Sequence, residues 1–170
     1  MLFRSRAGAK PGDILAVSGT IGDGVLGLLA VRNEIDDPDG YLAGRYRLPT
    51  PRLDLREALA AQATAAADVS DGLAADAGHI AEVSGVGLTL DLDRMPLSSA
   101  AKRWLEGQPD RSAALVKLAT GGDDYEVVAT FRGPPPRGFT EIGVVSGGAG
   151  VALSAGGRQL SVAQGGWRHL

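Results

Sequence analysis

The chain has 170 residues, a formal net charge of −3 and no cysteine. That balance excludes the basic footprint of a nucleic-acid binder, and the missing thiols exclude disulfides and thiolate metal sites. The longest apolar run, Val25 to Val31, is far short of the ~20 residues that span a bilayer, so no membrane partner is expected.

Met1 to Arg6 turns charged too soon for a signal peptide, and the reading is soluble and cytoplasmic. Hydrophobic residues make up 44% and charged residues 22%, ordinary values for one globular domain. A chain of this length buries roughly 70% of its unfolded surface. Aromatics are only 5%, so Ala, Val and Leu must build the core.

Lys10-Pro11-Gly12-Asp13 marks a turn, and Ile14 to Val17 is a short buried strand. Thr20 and Asp23 have capping-box spacing ahead of the apolar run from Val25, which predicts a helix. Residues 34–41 are acidic and turn-rich, a surface loop. Pro49-Thr50-Pro51-Arg52 is an extended elbow, because residues before proline avoid the helical region. A helix is predicted from Asp54 to about Thr64, then a small-residue strand from Ala65 to Val69. From Asp71 to about Val83, Leu73, Ala77, Ile80 and Ala81 recur at helical spacing, and Ser84-Gly85 ends that helix.

Val86 to Leu92 reads as a strand, and Leu97 to Leu105 and Ser112 to Thr120 as helices. Gly121 stands where a helix C-terminal glycine belongs. Val127 to Phe131 is a strand, residues 133–138 are a loop, and Glu141 to Val145 and Val151 to Ser154 are late strands. This order predicts an α+β or layered α/β fold, a mixed sheet flanked by helices.

Two acidic turns carry the chemistry. In Asp68-Val69-Ser70-Asp71-Gly72-Leu73, two carboxylates flank a hydroxyl and precede a glycine. With Asp68 ending a strand and Asp71 starting a helix, both carboxylates face one crevice. Ser70 then lies at a helix N-terminus, where backbone N–H groups favour anions. Mg²⁺ takes one or two carboxylates plus phosphate oxygens and water. Gly72 allows a close backbone approach. The plain alternative is helix capping by Ser and Asp, which spacing alone favours slightly. Asp76 and His79, on the same helix, read as solvated or capping residues.

The second turn is Gly121-Gly122-Asp123-Asp124-Tyr125-Glu126. It is either a left-handed glycine turn with exposed acids or a loop gripping a cationic or hydroxyl-bearing substrate. Tyr125 is a core candidate. Trp167, near the C-terminus, either packs on a core edge or stacks on a ligand ring.

Taken together, these segments resemble thiamine-monophosphate kinase. The resemblance rests on Gly8 to Asp13, Ser18 to Asp23, Pro49 to Arg52, Asp68 to Leu73 with Asp76 and His79 in register, Gly121 to Glu126, and Gly166-Trp167. The stretch from Asp68 to His79 is the most specific. Aminoimidazole ribonucleotide synthetase, selenophosphate synthetase and the hydrogenase maturation factor carry different residues at the equivalent turn.

The resemblance implies a transferase of thiamine biosynthesis. In it, ATP donates its γ-phosphoryl to thiamine monophosphate, giving thiamine diphosphate, with Mg²⁺ neutralising the phosphates. Asp68 and Asp71 are then metal ligands, Ser70 an ATP contact, and Asp123 and Trp167 substrate contacts. Gly72 and Asp124 are weaker candidates, and no catalytic residue is assigned.

Three departures stand out. Asp123 replaces a more usual Glu, Leu170 replaces a more usual aromatic, and only the family's C-terminal half is matched. Residues 1–12 accordingly read as a remnant of an inter-domain segment and 13–170 as a single C-terminal domain. The N-terminal domain, with further metal-binding aspartates and the homodimer contacts, is absent from this sequence, which predicts little activity for the chain alone. The alternative is a stand-alone, non-catalytic binding or assembly module with the same fold.

Overall fold

A seven-stranded mixed sheet organises the chain. The computed structural model describes residues 5–160. In chain order the strands are β1 (Ile14–Ser18), β2 (Ala63–Asp68), β3 (Gly87–Asp91), β4 (Val127–Phe131), β5 (Phe139–Ser146), β6 (Gly150–Ala155) and β7 (Arg158–Leu160). The helices are α1 (Asp23–Val31), α2 (Tyr41–Arg47), α3 (Arg56–Gln62), α4 (Leu73–Ser84), α5 (Ser99–Glu106) and α6 (Arg111–Thr120). The spatial strand order is β2-β4-β1-β5-β3-β6-β7. All neighbours are antiparallel except β3 and β6.

Strand alternation divides the apolar residues between two faces. Leu15 and Val17 of β1, Ala65 and Ala67 of β2 and Val128 of β4 point into the main core, beneath Leu26 of α1, Ile80 of α4 and Leu118 of α6. Ala16, Ala66, Ala129 and Phe131 point the other way. There they meet Leu59 of α3 and Phe139, whose ring lies edge-on to Phe131 at 5.2 Å. One face thus carries a layer of helices. On the other, α3 covers part of β2 and β4 and leaves a groove beside it.

The mixed sheet with flanking helices agrees with the sequence reading, and the central strands fall close to their expected bounds. Residues 34–40 form a loop, as expected, and helix α2 follows it in residues to which the sequence assigned no element. Three local expectations change. Ala63 and Thr64 are strand and not helix, because Ala63 pairs with Phe131 and Ala65 with Thr130. Thr20 does not cap α1: its hydroxyl donates to the Asp23 carboxylate at 2.6 Å. The amides at that helix start go to Asp124, as described below. Finally, α4 begins at Leu73, two residues after Asp71.

Candidate functional site

The two acidic turns, about fifty residues apart in sequence, form one ledge. They leave the sheet from neighbouring strands, at the end of β2 and the start of β4, where Asp68 pairs with Val127. Backbone pairing then continues beyond the strands. Val69 N–H donates to Glu126 O at 2.8 Å, Tyr125 N–H to Val69 O at 2.8 Å and Asp123 N–H to Ser70 O at 3.0 Å. Gly122 is required for this approach, since a Cβ there would lie 2.4 Å from Ser70 O.

Gly121 is not a left-handed cap. Its φ and ψ are −74° and 140°, extended. The left-handed residues of the turn are Asp123 (φ 69°) and Tyr125 (φ 52°). Asp tolerates that region, but an aromatic there is uncommon and marks a backbone held by its surroundings. Tyr125 is exposed and does not enter the core. Its hydroxyl is 3.4 Å from Asp123 Oδ1. The Asp123 charge foremost, with burial and the carboxylates of Asp68 and Asp71 contributing, raises the Tyr125 pKa. Asp68, Asp71 and Asp123 therefore share one negative field.

The first turn differs from expectation in its cap. Gly72, at φ 117°, breaks the chain before α4, so Asp71 stays outside the helix. Asp76, one turn into α4, reaches back: its Oδ2 accepts N–H bonds from Ser70 at 2.9 Å and Asp71 at 3.0 Å. Those two amides are consequently not free for an anion. The Ser70 side chain remains half-exposed.

Asp76 is buried, not solvated, and its Oδ1 has no hydrogen-bond partner among the described residues. Burial raises the Asp76 pKa, the two amide bonds oppose the rise, and the charges of Asp71 and Asp68 add to it. Asp71, Asp76 and His79 each place one ligand atom within 4.8 Å of the others. Asp68 is more exposed, and Arg6 lies 3.9 Å from it.

Asp124, a weaker substrate candidate in the sequence, turns inward. Its Oδ2 accepts Gly22 N–H at 2.7 Å and its Oδ1 accepts Gly24 N–H at 2.8 Å. It is the cap of α1, and burial pushes its pKa up to about 7. Trp167 lies outside the described residues.

Sequence reasoning missed a buried ionic network behind the ledge. Glu126 is fully buried and accepts from Ser18 Oγ at 2.7 Å, Arg45 at 3.1 Å and Arg52 Nε at 2.6 Å, with a second contact from Arg52 Nη2. Asp23, also fully buried, accepts hydroxyl protons from Thr20, Tyr41 and Ser98. Arg45 lies between the two carboxylates. The only sequence signal was the anchoring of Arg52 by a Pro-x-Pro elbow. Beside this network a groove of about 690 Å³ runs along the less covered sheet face. Arg6, Arg52 and Arg56 line it together with Asp68 and Tyr125 of the ledge, over a floor that includes Ala66 and Val127. An acidic ledge thus borders a largely apolar groove, and of the three arginines on its lining Arg52 is bound to Glu126 and Arg6 lies 3.9 Å from Asp68.

Comparison with known proteins gives the family. Residues 10–155 match the family described as AIR synthase related protein, C-terminal domain. The chain belongs to that family.

Its relatives include the thiamine-monophosphate kinase of Caulobacter vibrioides, 47% identical over 175 residues and covering 96% of this chain and 50% of the relative. That of Aquifex aeolicus is 37% identical over 176 residues, covering 99% and 55%. The solved structure AaThiL complexed with AMPPCP and TMP superposes with a TM-score of 0.84 at 35% identity, covering 99% of this chain and 54% of that one. A HypE–HypF complex, at 22% identity and a TM-score of 0.71, shares the fold alone. The chain spans about half the length of the curated relatives it matches.

Proposed function

We propose that this chain is the C-terminal part of an ATP-dependent kinase that converts thiamine monophosphate to thiamine diphosphate in the cytoplasm. In this reading residues 1–12 join it to a preceding domain, the complete enzyme is a homodimer, and the isolated chain is inactive. The observation that carries the proposal is the fused acidic ledge, which brings Asp68, Asp71 and Asp123 into one field. The chain is also similar, over 99% of its length, to a protein solved with an ATP analogue and TMP.

Phosphoryl transfer needs positioning and charge stabilisation more than covalent help from the protein. The γ-phosphoryl leaves ATP, giving ADP, and bonds to a phosphate oxygen of thiamine monophosphate. The all-oxygen donors on Asp68 and Asp71 fit Mg²⁺, and the crowding of three carboxylates on one ledge is the field a divalent ion would relieve. Mg²⁺ supplies neutralisation of phosphate charge when bound. Ser70 offers its hydroxyl to an ATP phosphate. Asp123 offers a carboxylate, and Trp167 an aromatic face, to the thiazolium cation. Gly72 keeps the first turn close to Thr120.

Joining the N-terminal half of the Caulobacter vibrioides relative to this chain is expected to restore thiamine diphosphate synthesis, followed by coupled ADP release. Asp71→Asn in that chimera is expected to lower kcat by at least about 100-fold with an unchanged melting temperature. A folded chimera that binds thiamine monophosphate without turnover would sink the kinase reading. A variant that mainly unfolds would assign Asp71 to the fold.

A further inference from the structure

We propose that Tyr125 is a ligand-binding residue whose ring stacks an aromatic cation where the groove meets the acidic ledge. The cation is the thiamine moiety of the phosphoryl acceptor, an identification that rests on the functional reading above.

The backbone gives the first observation. Tyr125 has a φ of 52°, a left-handed conformation that an aromatic residue keeps only where its surroundings impose it. Both neighbours impose it. Asp124 turns inward onto the amides of Gly22 and Gly24, and Glu126 turns inward onto Ser18, Arg45 and Arg52. Arg45 also donates to the Asp124 carbonyl at 3.3 Å. Between these two anchors Tyr125 is left at the surface.

The fold gains little from its side chain. Tyr125 is 42% exposed, and its hydroxyl makes only the long 3.4 Å contact with Asp123 among the described residues. Its N–H bond to Val69 O is open to any residue except proline. Strain that packing does not offset marks a position kept for function.

The groove gives the second observation. Its volume of about 690 Å³ falls among those of small-molecule sites, about 300–1,000 Å³. Tyr125 is the one aromatic residue on its lining among the described residues, in company with Pro51, Leu59, Asp68 and Val127. Electrostatics then choose the ring. The phenol stands in the field of Asp123 first, then of Asp68 and Asp71. A cationic ring is drawn by that field and by the aromatic face together, whereas a neutral nucleobase gains the face alone.

The test is saturation-transfer NMR of the 170-residue chain titrated with thiamine, which carries no phosphate and calls on no metal, and separately with adenosine. The expected result is that thiamine binds the parent chain. Tyr125→Gly, which removes the ring and accepts the left-handed backbone, weakens thiamine by at least about fivefold with an unchanged or raised melting temperature. Tyr125→Phe, which keeps the ring, retains binding. Where Tyr125→Gly fails to fold, Tyr125→Asn supplies the same comparison, because Asn also tolerates positive φ. No transfer to thiamine in the parent chain, equal thiamine affinity without the ring, or a loss confined to adenosine overturns the proposal. A melting temperature that falls along with affinity assigns Tyr125 to the fold and overturns it too. No readout involves phosphoryl transfer. The kinase reading therefore survives a failure here, and thiamine stacking on Tyr125 survives a chimera without turnover.

Discussion

Gly122→Ala tests whether the two acidic turns are one structural unit. The added Cβ would lie 2.4 Å from Ser70 O, whereas ordinary contact begins at 3.4 Å. The turns must therefore separate by about 1 Å, which takes the 3.0 Å bond from Asp123 N–H to Ser70 O beyond hydrogen-bonding range. A buried backbone group left unpaired costs about 1–3 kcal/mol, and forced overpacking costs about 1–3 kcal/mol more. Gly122 is absent from the residues with positive φ, so Ala meets no backbone strain there. Its lower unfolded-state entropy returns about 0.4–1 kcal/mol. The net loss is about 3 kcal/mol, or a fall of about 6–12 °C in Tm for a chain of this size. Gly133→Ala is the internal control, because a Cβ there meets nothing within 4 Å. Urea unfolding and calorimetry of both variants give the comparison. Equal stabilities, within about 0.5 kcal/mol, would refute the idea that the turns are held in contact.

Glu126→Gln should cost about 3 kcal/mol in urea unfolding, the lower end for removing one partner of a buried ion pair, because it leaves Arg52 without its counter-charge and Arg45 with Asp23 alone. Breaking the exposed pair Arg94–Glu141 should change stability by less than about 1 kcal/mol, and equal effects would contradict the burial argument. Burial raises the Asp124 pKa from 3.8 to about 7, so the folded chain holds this proton more tightly than the unfolded chain. The resulting stability is fully present below about pH 4 and is lost as pH rises through about 7, by up to ~4 kcal/mol. Asp124→Asn should flatten the slope between pH 4 and 8 measured by urea titration, and an unchanged slope would remove Asp124 as its source.

The strands were largely legible because local patterns make them. Val127 to Phe131 announces itself by composition alone, and its neighbours turn on Gly and Pro. Helix α2 was hidden because Tyr41 to Arg47 offers a single buried residue, Leu42, too little for an apolar period. The start of α4 was misplaced for a different reason. Asp71 looks like a first-turn acid, but the true cap comes from within the helix, from Asp76 reaching backward. In the same way Thr20 has cap spacing, yet the amides of α1 are satisfied by Asp124, about one hundred residues away. Long-range partners of this kind leave no local trace.

The joining of the two acidic turns follows from strand pairing, and it explains why each turn alone reads as ordinary. Asp68 pairs with Val127, and everything beyond that pair is carried along. The 69–72 backbone must then lie against 121–126, and the carboxylates on both segments must share a field. Repulsion among them costs stability, yet Glu126 and Asp23 show the chain neutralising other buried acids with Arg45 and Arg52. Arg52 lines the same groove that meets the ledge at Tyr125, but its guanidinium is spent on Glu126. The described structure therefore balances the inner acids internally and leaves Asp71, Asp76 and Asp123 without a basic partner. That division sets the carboxylates of the ledge apart from the arginines that neutralise the buried acids.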